Sequence, residues 1–288
     1  MDASLTSELG AVYAAAIQGA RSQQQDSVRL RWLADDAAWL IALADGMGGH
    51  AAGDLASKIA VDSFVGSFAA LRAEHAGFEE AFGTALTEAN ARIAAMQQAR
   101  PETRGMGTTL VAAHISRQGL RWISVGDSLL TLYRDGSSAR LNEDHSLRGL
   151  SEEARGSSSA NMLVSALSGG PIQKIDLHTE PLPIVRGDVL MVASDGVLSL
   201  ADAEIARVLA SAGPAQVDVM TNSLIDCVER AGVPHQDNCT VALFAPDAES
   251  RARGRSRLAL LLYAVLGLAV AGVAIAAWLK YFGVGLPG

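Results

Sequence analysis

The sequence predicts an α+β fold with antiparallel strands in layers, followed by one transmembrane helix. Strand-like segments occur in clusters instead of alternating one by one with helices, which favours antiparallel layers over a doubly wound parallel sheet. Two long segments with apolar residues at helical spacing separate the first clusters. Residues 258–279 carry no charge, and a membrane-spanning helix needs about 20 apolar residues.

The first half of the chain contains two groups of strands with two helices between them. Polar or acidic breaks separate the first strands, which are predicted at residues 11–17, 28–33 and 39–44. Amphipathic helices are predicted at residues 52–71 and 78–99. Strands follow at residues 108–115, 120–125 and 129–134. Asp135 and Gly136, directly after the last of these strands, are typical of a hairpin turn.

The second half begins with a segment that has no helical or strand periodicity. Residues 142–172 are polar and rich in Ser and Gly, which predicts a loop or flap. Strands are then predicted at residues 189–193 and 240–244, and helices at residues 203–210 and 215–231.

Composition limits the class of protein. The formal net charge is -8, which argues against a nucleic-acid partner because such proteins usually present a basic face. Hydrophobic residues make up 49% of the chain, which is enough for a sizeable core. Cys227 and Cys239 belong to no CxxC pair or Cys/His cluster, so we expect neither a disulfide framework nor a structural zinc site.

The uncharged segment at 258–279 is predicted to cross a membrane. Trp278 and Tyr281 lie at one end, where interfacial aromatic residues belong. Four arginines precede the segment, and only Lys280 follows it, so the positive-inside rule places the preceding domain in the cytoplasm. The alternative is a buried helix of a soluble protein, which the length and the flanking charges disfavour.

Four aspartates lie next to apolar strands and beside glycine or amide residues: Asp26, Asp45, Asp195 and Asp237. Taken alone, each Asp-Gly pair is more often an ordinary turn. Several in one domain favour a metal site, because carboxylate and carbonyl oxygens suit hard cations such as Mg²⁺ or Mn²⁺. Gly46 would let its backbone carbonyl approach such an ion closely.

The string DGMGGHAAGDLAS, which begins at Asp45, closely resembles the signature of the metal-dependent type 2C Ser/Thr protein phosphatases in their bacterial form. Further blocks resemble family motifs in the family's order: RSQQQDS, MGTTLVAA, VGDS, YRDG, NEDHSL, GDVLMVASDGV and QDNCTVALF. The resemblance covers about residues 10–244, and several blocks in order are far more specific than any single motif. It implies a layered sandwich of two antiparallel β-sheets flanked by helices, with metal ions at one end.

The resemblance also implies roles for individual residues. Asp45 would bridge two divalent cations, Mn²⁺ or Mg²⁺, with the Gly46 carbonyl as a further ligand. Asp195 and Asp237 would bind the first cation. A hydroxide between the two cations would attack phosphorus without a phosphoenzyme intermediate.

Three more assignments concern substrate, water and a third cation. Arg21 would bind the substrate phosphate through its fork of donors, and Asp26 would hold water on the metals. Asp127 resembles a residue tied to a third metal in bacterial members, although capping its own turn is an equal alternative. Gln25 stands where the family often has Glu, and Met47 stands where some eukaryotic members carry a His proposed as general acid.

The predicted function is hydrolysis of phosphoserine and phosphothreonine on proteins, opposing a Ser/Thr kinase at the inner cell membrane. The alternative, to which Gln25 gives weight, is a catalytically weak phosphoprotein-binding or scaffolding module on the membrane. The predicted segments are a phosphatase catalytic domain, a basic linker, a single transmembrane helix in the lipid bilayer and a short tail, at residues 1–245, 246–257, 258–280 and 281–288.

Overall fold

The fold is known from a computed structural model, which describes residues 5–48, 51–150, 162–211 and 216–246. All of these belong to one unit, Met1–Asp247. The predicted transmembrane helix at 258–280 and most of the predicted linker lie outside the described residues, as does part of the predicted flap. Among the described helices, none combines the length and apolarity that a membrane span requires.

The described residues form twelve strands and five α-helices. The strands are β1 (Leu5–Ser7), β2 (Gly10–Ile17), β3 (Asp26–Leu33), β4 (Ala38–Met47), β5 (Gly107–Thr108), β6 (Leu110–Ser116), β7 (Gly119–Val125), β8 (Leu129–Arg134), β9 (Ser137–Arg140), β10 (Asp176–Leu182), β11 (Val189–Ala193) and β12 (Cys239–Pro246). The helices are α1 (Ala51–Ala73), α2 (Phe78–Ala99), α3 (Leu147–Leu150), α4 (Asp202–Ala210) and α5 (Val217–Ala231). Short 3-10 helices lie at Pro101–Thr103 and Asp195–Ser199.

Two antiparallel sheets form the centre of the fold. The first has the strand order β1-β2-β12-β11-β8-β9, and the second has the order β10-β7-β6-β4-β3, with β5 paired to β4. Every pairing between these described strands is antiparallel. The predicted α+β class is therefore confirmed for this part of the chain.

Alternation along the strands explains why the sheets are covered on both faces. In β4, Ile41 and Leu43 are fully buried against the other sheet, whereas Leu40 and Ala42 pack under α1 and α2. In β12, Phe244 faces the opposite sheet while its neighbour Leu243 packs among α4 and α5. The sequences of β4 and β12 are therefore almost continuously apolar, because neither face of these strands is exposed to water. The result is four layers, helix, sheet, sheet and helix.

The strand predictions were wrong for three short or edge strands and at Thr109. The strands β1, β9 and β10 were not predicted, because they are short or lie at sheet edges with exposed polar residues and carry little apolar alternation. The predicted strand at 108–115 is instead two strands with a break at Thr109. Thr109 turns to hydrogen-bond the backbone of Asp45, which interrupts the regular ladder.

A partly buried ion pair fastens the end of α1 to the β3–β4 turn. Arg72 donates from Nε and Nη2 to the two carboxylate oxygens of Asp36, at 2.8 Å each, and His114 Nε2 lies 3.2 Å from Asp36 Oδ2. Burial acts to raise the pKa of Asp36, but the bonds from His114 and Arg72 outweigh it and hold that pKa below its usual range.

We expect Asp36→Asn to lower the free energy of unfolding by about 2 kcal/mol at neutral pH. Because the folded-state pKa is depressed, the carboxylate's contribution is fully present above its unfolded value of about 3.9 and is lost progressively as pH falls below that value towards the folded one, so part of the loss is reached by pH 3. Urea unfolding of both proteins from pH 7 to pH 3 measures this, with Asp35→Asn, an exposed neighbour, as the control. If the difference in free energy of unfolding between wild type and Asp36→Asn stayed constant with pH, the expectation would be contradicted.

Candidate active site

Two of the predicted site residues face each other across neighbouring strands. Asp26 is the first residue of β3, and it is the register partner of Asp45 near the end of β4. Directly opposed residues have Cβ atoms about 5 Å apart, so strand pairing alone brings the two carboxylates together. Asp26 is 7% exposed.

The first sheet supplies two more carboxylates at the same end of the sandwich. Asp195 begins the 3-10 helix that follows β11, and Asp237 precedes β12, the strand paired with β11. Ser194 joins the two sheets, because its hydroxyl donates to Asp26 Oδ2 at 2.7 Å and accepts from the backbone N–H of Thr240 at 2.9 Å. The four aspartates therefore converge from both sheets.

The backbone of Asp45 is held by two threonines that the sequence analysis did not assign. Asp45 donates its N–H to Thr109 Oγ1 at 2.9 Å, and its carbonyl accepts from the Thr109 N–H at 2.9 Å and from Thr108 Oγ1 at 2.8 Å. These bonds fix the strand end that presents the carboxylate. The Gly-Thr-Thr string marked these threonines in the sequence, but the sequence did not show that they hydrogen-bond to Asp45.

Gly46 lies where no side chain fits. A Cβ at this position would lie 2.1 Å from the carbonyl oxygen of Gly53 in the first turns of α1 and 2.7 Å from the carbonyl oxygen of Gln25. The Gly46 N–H donates to the same Gln25 carbonyl at 3.1 Å. The glycine is therefore required by close packing of three backbone segments.

Arg21 lies in the β2–β3 loop at the edge of this cluster. Its Nη2 contacts Asp237 Oδ2 at 2.5 Å, and its side chain is 54% exposed. The bond to Asp237 raises the pKa of the guanidinium. An exposed guanidinium whose present partner is an aspartate can exchange that partner for another anion, such as a phosphate.

Asp127, the tentative third-metal residue, follows β7 and is 5% exposed. Burial, followed by the charges of Asp195 and Asp144, raises its pKa to about 7. Its backbone carbonyl accepts from Arg140 Nη2 at 2.9 Å. Asp127 thus lies in the electrostatic field of the cluster, and both its metal role and its turn role stay predictions.

The negatively charged carboxylates of these aspartates repel one another unless a positive charge lies among them. Burial and the other carboxylates raise the pKa values of Asp26, Asp45 and Asp195. Asp26 Oδ1 is buried and has no hydrogen-bond partner. Among the described residues, no three His, Cys, Asp or Glu side chains lie close enough together to hold one metal ion. A set of oxygen donors with excess negative charge fits hard divalent cations.

Comparison with known families decides what this cluster belongs to. A family model for protein phosphatase 2C matches residues 16–241, which include every residue of the site described above. The chain belongs to the protein phosphatase 2C family. It is therefore a metal-dependent protein Ser/Thr phosphatase by family, which confirms the resemblance recognised in the motifs.

Individual relatives agree with the family. The chain is 30% identical over 230 residues to the serine/threonine phosphatase stp of Listeria monocytogenes serotype 4b, covering 75% of this chain and 88% of the relative. The crystal structure of the Mycobacterium tuberculosis serine/threonine phosphatase PstP/Ppp has a TM-score of 0.66 at 28% identity, covering 81% of this chain and 96% of that one.

A third relative bears on the metal ions. The crystal structure of the catalytic domain of the phosphatase PstP in complex with 2 manganese ions has a TM-score of 0.65 at 29% identity, covering 82% of this chain and 97% of that one. The fold of two antiparallel sheets flanked by helices is thus shared with solved phosphatases. Of the string that begins at Asp45, Gly49 and His50 lie outside the described residues.

Proposed function

We propose that this chain hydrolyses phosphoserine and phosphothreonine in proteins with two divalent cations, Mn²⁺ or Mg²⁺. Asp45, the Gly46 carbonyl, Asp195 and Asp237 would hold them, and Asp127 could contribute to a third. The observation that carries the proposal is the convergence of carboxylates from both sheets, where burial and the neighbouring carboxylates raise the pKa values of Asp45 and Asp195.

The bound cations would lower the pKa of coordinated water and offset the negative charge of the phosphoryl group. Asp26, oriented by the Ser194 hydroxyl, has one carboxylate oxygen free to accept a hydrogen bond from water. Arg21 would release Asp237 and present two parallel N–H groups to two phosphate oxygens, which orients the phosphate for attack. In this scheme the Asp237 carboxylate, which now contacts Arg21, would be available to hold a cation.

We also propose that residues 258–280 anchor the phosphatase as a single-pass protein in the inner cell membrane, with the catalytic domain in the cytoplasm. The apolar run and the four preceding arginines support this orientation. At that location the substrates would be phosphorylated proteins, including those modified by a Ser/Thr kinase or the kinase itself. The bilayer would be the other partner.

One experiment tests both parts. Cells expressing the full chain, or a chain ending at residue 247, are separated into membrane and soluble fractions. Phosphate release from a phosphothreonine peptide is then measured with Mn²⁺ and with EDTA. We expect Mn²⁺-dependent release in the membrane fraction for the full chain and in the soluble fraction for the shortened one.

Other outcomes discriminate between the alternatives. Activity of the full chain in the soluble fraction would rule out the membrane proposal but would not affect the proposed hydrolysis. A folded chain that binds the phosphopeptide but releases no phosphate would replace the hydrolase by the scaffolding module. Gln25 is the residue that motivates this second candidate, and its amide Nε2 donates to the Gly48 carbonyl at 3.3 Å.

A further inference from the structure

We propose that Asn238 is a positioning residue that places Arg21 for the substrate phosphate. The proposal rests on the phosphate-binding role proposed for Arg21. Asn238 is 3% exposed and contacts neither substrate nor metal in the scheme above. Its side chain instead holds the β2–β3 loop from which Arg21 projects.

The side chain of Asn238 makes three hydrogen bonds to the backbone of that loop. Nδ2 donates to the Gln18 carbonyl at 2.8 Å and to the Gln23 carbonyl at 3.0 Å, and Oδ1 accepts from the Gln25 N–H at 2.9 Å. Gln18 precedes Arg21 and the other two residues follow it, so the loop is fastened on both sides of the arginine. The two amide protons and the amide oxygen are all used within the loop.

Other contacts bring the loop directly onto the segment that carries Asn238. The Ala20 N–H donates to the Gln236 carbonyl at 2.8 Å. Gly19 has a φ of +62°, and a Cβ there would lie 2.4 Å from the Asp237 carbonyl oxygen. The segment before β12 thus supplies Asp237 as a predicted metal ligand and Asn238 as the support for Arg21.

Loss of these bonds would act on substrate binding more than on metal binding. An arginine side chain has many rotamers, and it orients a phosphate well only when its backbone is fixed. A shift of about 1 Å in a positioning group is enough to cost up to about a hundredfold in rate. If Asn238 only held the start of β12, its loss would lower stability, and the effect would not depend on whether Arg21 is present.

The test uses the full chain with Mn²⁺ and a phosphothreonine peptide. We expect Asn238→Ala to raise KM about tenfold with a smaller change in kcat, and to leave the Mn²⁺ affinity unchanged. In a chain that already carries Arg21→Ala, the same substitution should raise KM no further, since residues that act as a unit are not additive. Thermal unfolding of each variant checks that the fold is kept.

Gln18→Ala provides a second variant if Asn238→Ala does not fold. Gln18 is exposed, and its Nε2 donates to the Arg21 carbonyl at 2.7 Å, so its loss should raise KM in the same direction by a smaller factor. The inference is overturned if Arg21→Ala raises KM but neither Asn238→Ala nor Gln18→Ala does. It is also overturned if the effects of Arg21→Ala and Asn238→Ala on KM add in the double variant. An unchanged KM in Arg21→Ala would instead overturn the role proposed for Arg21 itself.

Discussion

Asp45→Asn is expected to lower Mn²⁺-dependent phosphate release by about a thousandfold or more, because it removes the carboxylate proposed to bridge both cations. The amide keeps the size of the side chain, and the bonds that hold the Asp45 backbone to Thr108 and Thr109 do not involve the carboxylate. The variant should therefore fold. Phosphate release and Mn²⁺ titration calorimetry measure the two losses.

The same variant should be more stable than the wild type in EDTA. Burial and the charges of Asp26 and Asp195 raise the pKa of Asp45, which means that its charge opposes folding when no cation balances it. We expect a higher melting temperature in EDTA and a much smaller rise on adding Mn²⁺. Wild-type activity in Asp45→Asn, or an undiminished Mn²⁺ response, would exclude the bridging role.

Gly46→Ala should impair both stability and activity. The added methyl group would lie 2.1 Å from the Gly53 carbonyl oxygen and 2.7 Å from that of Gln25, so three backbone segments would have to move apart. We expect a loss of about 3 kcal/mol in the free energy of unfolding. Phosphate release should fall at least tenfold, because the displaced segments carry Asp45 and lead to Asp26. Urea unfolding and the phosphopeptide assay measure these effects.

Gly66→Ala is the matched control for this substitution. Gly66 is exposed in the middle of α1, and nothing lies within 4 Å of a Cβ built there. Alanine is favoured over glycine in a helix, so this change should stabilise the protein by about 0.5–1 kcal/mol and leave activity unchanged. If Gly46→Ala behaved like this control, the close packing around Gly46 would not limit the site.

Long periodic segments were the part of the fold that could be predicted well. The two helices α1 and α2 and the buried strands β4, β7, β8 and β11 were placed within a few residues, because burial on both faces leaves a strong apolar pattern. The edge strands β9 and β10 were missed. Their side chains are exposed or only half-buried, so their pairing depends largely on backbone hydrogen bonds, which impose little on the choice of residue.

The site, like the fold, could be predicted from the sequence only in part. The motif strings named Arg21, Asp26, Asp45, Asp195 and Asp237 together, and the family match covers all of them. The supporting contacts could not be inferred, because they join residues far apart in the chain. Ser194 bonds to Asp26 across 168 positions, and Asn238 bonds to Gln25 across 213.

By itself, the amino-acid sequence determined the fold class and the family, and it named the acidic residues that we propose hold the metal ions. These follow from apolar periodicity and from local strings whose order along the chain carries the information. Only the tertiary structure decided which hydroxyl orients Asp26, which threonines hold Asp45 and which amide fastens the Arg21 loop. Such contacts form when the two sheets pack face to face and their loops meet at one end, and a side-chain hydrogen bond to a distant backbone group leaves no periodic trace in the sequence.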